Sequence, residues 1–552
     1  MTMLGDRYAT LVPRPVTVRP AAGTFELTEG TPLVIAPGAE PATGQAAVAV
    51  RLLLAPLRLP LRPASAGPGV TVRIDPAIGE PEGYRLRVSE AGVELAGSTV
   101  DGVRHATQTL RQLLPDAAWR AAPPPGTRWL VPCGEVVDAP AMAWRGGMLD
   151  VARHFFGKHT LLRYVDLFAM HRLNRLHLHL TDDQGWRIES RRFPRLTEVG
   201  GHRPETVDRD GGGDGTPHGG YYTLDDLAEV AAYAAERGIT VVPEIDLPGH
   251  AAALLAAYPE LGTGSHSVRT YWGISASVVK PMPATLRFLT ELLGELTDAL
   301  PGPYVHLGGD EAPLQTWVDD PAVAEHQRSL GLSTPVDLFG HFMRELAAVL
   351  AGRGRRMVVW DEAFVGGGLL PDTIVTAWRG DRVAQQAAAA GYDVVRCPVF
   401  PAYFDYDQSD RPEEPLAIGG PITLADVARF QPVPDDWTEP ARARVLGVQF
   451  NTWTEYIPDP AHLDYMVFPR ACAMAEVAWT GRPAPDLETR LPDHLRRLAA
   501  AGCRYRPLAG PAPWQTGGTG ARRRRDHKPI AEVRAWLAEL SQRADVPPES
   551  VT

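Results

Sequence analysis

Cysteine is scarce. The 552-residue chain has four, Cys133, Cys397, Cys472 and Cys503, far apart and never as CxxC. That spacing argues against a structural zinc site, and it predicts free thiols in a reducing compartment. Positive charge is also in deficit. With 55 Lys and Arg against 66 Asp and Glu, the formal net charge is −11. An acidic chain is a poor partner for nucleic acid or an anionic membrane, since both need a basic face. No run approaches 18 consecutive apolar residues, so no membrane span is expected. The opening MTMLGDRYATLVPRP has neither an apolar h-region nor a small-residue cleavage site, which makes a cytoplasmic location the expectation. Phosphate-binding loops are missing too. The turn DVARHFFGKH lacks GxGxxG, and the Gly-rich stretch DGGGDG at 210–215 has no Lys.

The rest of the composition suits a globular enzyme. Apolar residues make up 44% and charged residues 22%, and a chain of this length can bury large cores without staples. Residues 1–136 read as a small α+β domain. Thr71–Ile74 and Tyr84–Val88 alternate like strands, Gly92–Leu95 is a short strand after a turn, and Thr99–Leu114 is a helix with Val103, Ala106, Leu110 and Leu113 on one face. The Pro-rich AAPPPGTRW marks a loop near the boundary.

Over residues 137–510, short apolar strands alternate with amphipathic helices. The strands read as GGMLDV, RLHLHL, ITVVPEI, YVHLGG, RMVVWDE, TIVTAW, VVRCPVF and VLGVQFNTW. Eight repeated β-then-α units predict a parallel (β/α)8 barrel of the triosephosphate isomerase type, giving an α/β catalytic domain. The lack of GxGxxG disfavours the competing open, doubly wound sheet. The helix after YVHLGG has a clear start, with Thr334 as cap and Pro335 in its first turn. Residues 511–552 form a tail, in which ARRRRDHK reads as a solvated patch and IAEVRAWLAELSQRA as an amphipathic helix packing on the body.

Barrels carry their chemistry at the C-terminal ends of the strands. Those ends hold Asp150 and Arg153; Asp182 and Asp183; Glu244, Asp246 and His250; Asp310 and Glu311; Trp360, Asp361 and Glu362; Trp378 and Arg379; Tyr403 and Asp405; and Trp453 and Glu455. Carboxylates accept hydrogen bonds from hydroxyls, and tryptophan faces stack on pyranose rings, so the set points to a sugar. The strongest motif is HLGGDEAP, His306 to Pro313. Its two glycines let backbone and ligand approach closely, and its adjacent acids can face different parts of one substrate.

HLGGDEAP resembles the signature of the family 20 glycoside hydrolases, the β-N-acetylhexosaminidases. RGGMLDVARHFF, NRLHLHLTDDQGWRIE, VVPEIDLPGH and FPRACAMAEVAWT resemble further blocks of that family, in the same order. LVPRPVTVRPAAGTFEL and DGVRHATQTLRQLL resemble its small domain before the barrel, so the likeness covers roughly residues 10 to 500. The resemblance implies exo-acting, retaining hydrolysis of terminal β-linked GlcNAc or GalNAc, in which the substrate's own 2-acetamido oxygen is the nucleophile. By motif match Glu311 is then the general acid/base, with a raised pKa. Asp310 holds and stabilises the acetamido group, and Tyr403 hydrogen-bonds its oxygen. Arg153 matches the residue that grips the 3- and 4-hydroxyls, Glu455 the 4- and 6-hydroxyls, and Asp405 the 6-hydroxyl. Trp360, Trp378 and Trp453 match the aromatic walls, and Asp182 with His250 the dyad that orients the acid. The resemblance implies no cofactor and no metal, with GlcNAc- or GalNAc-terminated oligosaccharides or glycoconjugates as partners and a monomer or homodimer as the assembly. One departure stands out. The loop YDQSDRPEEPLAIGG lacks a tryptophan common in the family, which bears on contacts beyond the first sugar.

Three alternatives follow from the same residues. Some family members release a disaccharide. His177 and His179 form an HxH that could serve a metal-dependent amidohydrolase, although that motif belongs on the first strand and here lies on the second. A non-catalytic sugar-binding module would keep the aromatic walls but lose the acid, and both Asp310 and Glu311 are present.

Overall fold

The computed structural model describes residues 4–38, 41–207, 211–263 and 266–516, with 531–532, 535–536 and 539 beyond them. The arginine run, Asp210 of the glycine-rich loop and most of the expected terminal helix lie outside the described residues.

The first part of the chain is a seven-stranded mixed sheet. Its strands run in the order Thr17–Leu27, Trp129–Asp138, Tyr84–Ser89, Gly92–Gly97, Val70–Ile74, Leu33–Ile35 and Pro63–Ala64. The helix Val100–Leu113 packs on it, capped by the Thr99 hydroxyl, which accepts from the Gly102 N–H. Val103, Ala106, Leu110 and Leu113 are all fully buried, as the helical period requires. Two long strands, Thr17–Leu27 and Trp129–Asp138, go beyond the sequence reading. The first contains Pro20 and Gly23 and shifts register between Pro20 and Thr24, which blurs its alternation.

The second part is a closed barrel of eight parallel strands in chain order: Trp144–Asp150, Arg175–His179, Thr240–Glu244, Tyr304–His306, Arg356–Trp360, Ile374–Ala377, Asp393–Arg396 and Val445–Thr452. These are the eight strands expected from sequence. Thr334 caps the helix Pro335–Gly352 through a reciprocal capping box with Asp337. All four cysteines are free and buried. No helix among the described residues is long and apolar enough to cross a membrane.

The two parts join through buried polar contacts. Asp138 at the end of the sheet accepts from Trp479 Nε1 at 3.0 Å and lies 3.6 Å from Arg172, while Glu82 meets Arg145 at 2.6 Å.

Alternation along the barrel strands positions the site. In RLHLHL the leucines face the surrounding helices, and His177 and His179 face the barrel interior, where both meet Glu244. The opposite end of the interior is closed by a small cluster of Trp144, Val242, Val358, Ile374 and Val395. Polar and aromatic groups therefore gather at the C-terminal mouth.

Candidate active site

The fourth strand ends at His306, and the chain then turns sharply through Gly308 and Gly309, both with positive φ. The close approach here is to protein. A Cβ on Gly308 would run into the Asp246 carboxylate, and Gly309 N–H donates to Asp246 Oδ1 at 3.3 Å. The turn delivers Asp310 and Glu311 to the mouth. Glu311 is itself left-handed at φ 44°, as is His250 at φ 49°. Neither is glycine, so both store backbone strain that the surrounding contacts must hold in place.

Around the acid pair runs a line of charged side chains. His250 Nε2 lies 3.4 Å from Glu311 Oε2 and 3.7 Å from Asp310 Oδ2, while its Nδ1 lies 3.4 Å from Asp182 Oδ1. Asp182 Oδ2 accepts from Arg153 Nη2 at 2.7 Å and from His179 Nε2 at 3.0 Å. His179 Nδ1 reaches Glu244 at 2.5 Å. Glu244 also accepts from Trp360 Nε1 at 2.8 Å, and the rings of His306 and His177 lie against it, with Nδ1 and Nε2 at 2.9 and 3.0 Å. The line therefore runs Glu311, His250, Asp182, His179, Glu244 from mouth to barrel interior.

Burial opposes charge on His250, but Asp182 and its neighbours outweigh it and hold the imidazole pKa well above the usual range. The same balance raises His179. Burial is also the largest influence on Asp310. Reinforced by Glu311 and opposed by His250, it raises that carboxyl to about 6. Burial, with Glu455 nearby, lifts Asp405 well above the usual carboxylate range.

The aromatic wall is continuous. Trp378 and Tyr403 are stacked with centroids 6.4 Å apart, Trp453 lies 6.2 Å from Tyr403, and Trp360 lies 6.0 Å from Trp453. Each tryptophan is pinned: Trp360 by Glu244, Trp378 by its Nε1 donating to Glu362 at 2.9 Å, and Trp453 by Arg153 at 4.9 Å from its centroid. Arg153 also donates to Gln184 at 3.2 Å and contacts Asp150 at 3.4 Å. Glu455 acts on Arg153 electrostatically. Asp310 Oδ1 and Asp405 Oδ1 are buried with no hydrogen-bond partner within the protein, two acceptors facing a site built for donors.

All eleven residues singled out in the sequence thus meet at one mouth. The sequence reading missed Gln184, placed Glu244 and Glu362 at strand ends without a role, and weighed His179 only as a metal ligand; all four hold those residues in place. The inward phase of RLHLHL was the signal available for His179.

Buried carboxylates, a charge-paired acid and an aromatic wall at the C-terminal mouth of a (β/α)8 barrel define a carbohydrate-processing enzyme. Residues 142–482 match the model of the glycosyl hydrolase family 20 catalytic domain, and residues 8–139 match that family's domain 2. The chain belongs to glycosyl hydrolase family 20. A beta-hexosaminidase from Porphyromonas gingivalis is 35% identical over 93% of this chain, which spans 66% of that relative's length. A beta-N-acetylhexosaminidase from Cellulomonas fimi is 35% identical over 90% of this chain and 95% of its own. Among solved structures, an exo beta-N-acetylglucosaminidase from Vibrio harveyi in complex with N-acetylglucosamine superposes with a TM-score of 0.80. It is 32% identical, over 92% of this chain and 79% of that one. A mutant Streptomyces plicatus beta-hexosaminidase in complex with its product GlcNAc gives 0.76 at 33% identity, over 92% and 98%.

Proposed function

We propose that this chain is an exo-acting β-N-acetylhexosaminidase that removes terminal β-linked GlcNAc or GalNAc with retention of configuration. The observation that carries this reading is the division of the acid pair. His250, at the head of the line to Asp182, lies nearer Glu311, at 3.4 Å, than Asp310, at 3.7 Å, and Asp310 is the more buried acid and keeps one oxygen unengaged.

In this mechanism Glu311 protonates the leaving oxygen while the substrate's acetamido oxygen attacks the anomeric carbon. The C1–O bond breaks, and an oxazolinium ion forms. Asp310 accepts the acetamido N–H and balances the developing positive charge, and the Tyr403 hydroxyl donates to the acetamido oxygen. Glu311, now a carboxylate, takes a proton from water as that water attacks C1, and the ring opens to give the β product. Two inversions account for retention. Trp360, Trp378 and Trp453 enclose the acetamido group and sugar ring. Arg153, Asp405 and Glu455 take the ring hydroxyls, and such a full grip on one sugar supports release of a monosaccharide. The planar fork of Arg153 suits two vicinal hydroxyls.

The geometry disfavours the amidohydrolase reading. Both ring nitrogens of His179 are already engaged, Nδ1 by Glu244 at 2.5 Å and Nε2 by Asp182 at 3.0 Å.

The test compares an aryl β-N-acetylglucosaminide with the matching β-glucoside. Neighbouring-group attack predicts rapid cleavage of the first and essentially none of the second. Equal rates on both would overturn the mechanism.

A further inference from the structure

One aromatic side chain near the mouth has no part in the reaction just described. Tyr271, in the loop between the third barrel strand and the helix Pro283–Ala299, is 52% exposed. Its position is nevertheless tightly determined. Gln184 Nε2 donates to the Tyr271 carbonyl at 2.9 Å, and Gln184 Oε1 accepts from Arg153 Nε at 3.2 Å. Two residues earlier, Arg269 N–H donates to the Asp183 carbonyl at 2.9 Å. The Arg269 guanidinium contacts Asp183 Oδ2 at 3.4 Å and the Gly273 carbonyl at 2.7 Å. The following residue, Trp272, is wedged beside Arg203 and His154, at 5.3 and 5.6 Å between centres.

The Arg269 guanidinium also lies 4.2 Å from the centroid of the Tyr271 ring, so it covers one face and leaves the other to solvent. The ring is therefore pre-oriented with one face open. It is also linked to the acid through a short series of contacts, and through Gln184 to Arg153. Arg269 touches Asp183, Asp183 Oδ2 lies 3.9 Å from His250 Nδ1, and His250 Nε2 lies 3.4 Å from Glu311 Oε2. A solvent-facing aromatic ring that contributes nothing to a core, held rigid beside a sugar pocket, has the properties of a stacking platform. A preorganised ring loses little entropy when a pyranose face covers it.

We propose that Tyr271 is a specificity-determining residue, a platform that stacks a sugar lying beyond the one held in the pocket and so favours oligosaccharides over simple glycosides. The proposal rests on the glycosidase reading above. Arg269 is the positioning residue for the platform, and Asp183 and Gln184 anchor the loop that carries it.

The test uses the full chain and two substrates, di-N-acetylchitobiose and methyl β-N-acetylglucosaminide. For Tyr271→Ala, kcat/KM on the disaccharide should fall about 3- to 10-fold, the range expected for one aromatic stacking contact. On the methyl glycoside it should be unchanged, which also shows that the variant folds. Tyr271→Phe should behave as the parent on both, because the ring face and not the hydroxyl makes the contact. Equal losses on the two substrates, or no loss on either, would overturn the platform while leaving the glycosidase reading intact. A parent protein that cleaves neither substrate would overturn the glycosidase reading itself.

Discussion

The two ends of the barrel interior are lined by the same strands, yet their chemistry is opposite. At the N-terminal end Val242, Val358, Ile374 and Val395 close over Trp144 as a dry plug, and Arg175 packs its guanidinium near Trp144 and Tyr304 at 5.4 and 5.6 Å. Two residues further along the same strands, Val242 gives way to Glu244, Val358 to Trp360 and Ile374 to Thr376. There Glu244 accepts from Trp360 and pairs with His179, and the rings of His177 and His306 pack against it. The lower layer gains from burial and needs no partners. The upper layer places ionised groups where water cannot reach, which is tolerable only while every group is paired. Stability and chemistry are therefore stacked along each strand rather than divided among strands.

The largest expected effect comes from breaking the upper layer at its outlet. Glu311→Gln removes the proton carrier but keeps shape and hydrogen-bonding length. On di-N-acetylchitobiose, whose leaving sugar needs a proton, kcat/KM should fall by about 10³. On an aryl substrate with an acidic leaving group the first step should suffer less, so the loss should be smaller. Equal losses on both would argue that Glu311 positions the substrate instead.

Further inside, Glu244→Gln should damage both function and fold. His179 and Trp360 each hold one of its two oxygens, and an amide nitrogen in place of either would face a donor. Breaking a buried charge cluster in this way costs on the order of 3–5 kcal/mol. Thermal unfolding measures that loss. Activity should fall as well, because His179 would lose the partner that holds it against Asp182. An unchanged melting temperature would show that the cluster is less committed than its geometry implies.

Sequence alone carried most of this architecture. The eight strands are short apolar runs bounded by polar loops, and each ends in a residue that has no business in a core, so both strand and site could be read from one pattern. Glu311 and Asp310 were legible from HLGGDEAP, and the aromatic wall from tryptophans at successive strand ends. The pairing of those residues was not. RLHLHL tells that His177 and His179 share a face, but their partner Glu244 is 65 residues beyond His179 and belongs to a neighbouring strand. Gln184, which links Arg153 to the Tyr271 loop, is an unremarkable polar residue in sequence. Thr17–Leu27 was hidden because Pro20 and Gly23 interrupt the period on which strand recognition depends. The glycine pair signals a close approach, and within the protein Gly308 makes it to Asp246 and Gly309 to Ala363.

The lower layer offers the control. Val358 is fully buried in the plug. Val358→Ala should cost about 2 kcal/mol from lost burial plus a small cavity, with kcat near that of the parent. Differential scanning calorimetry alongside kinetics separates the two. A large fall in kcat would mean that the layers are mechanically coupled.

The smallest expected effect has the opposite sign. Because burial raises Asp310 to about 6 in the folded protein from its ordinary 3.8, the native state holds this proton more tightly than the unfolded chain does. Protonated Asp310 costs the fold nothing below pH 4, where it is protonated in both states. As pH rises from 4 through 6 the unfolded state ionises first, so stability falls, and the full penalty is present above pH 6. Asp310→Asn removes that penalty. The variant should therefore be more stable than the parent at pH 7.5, with the gain shrinking towards zero at pH 4. Its hydrolysis of acetamido substrates should nonetheless be severely reduced, since a neutral amide cannot balance the oxazolinium charge. In the parent, that requirement places the acidic limb of kcat/KM near pH 6. A variant that gains stability equally at pH 4 and 7.5 would show that packing, and not the buried charge, is what the mouth of the barrel sacrifices for its chemistry.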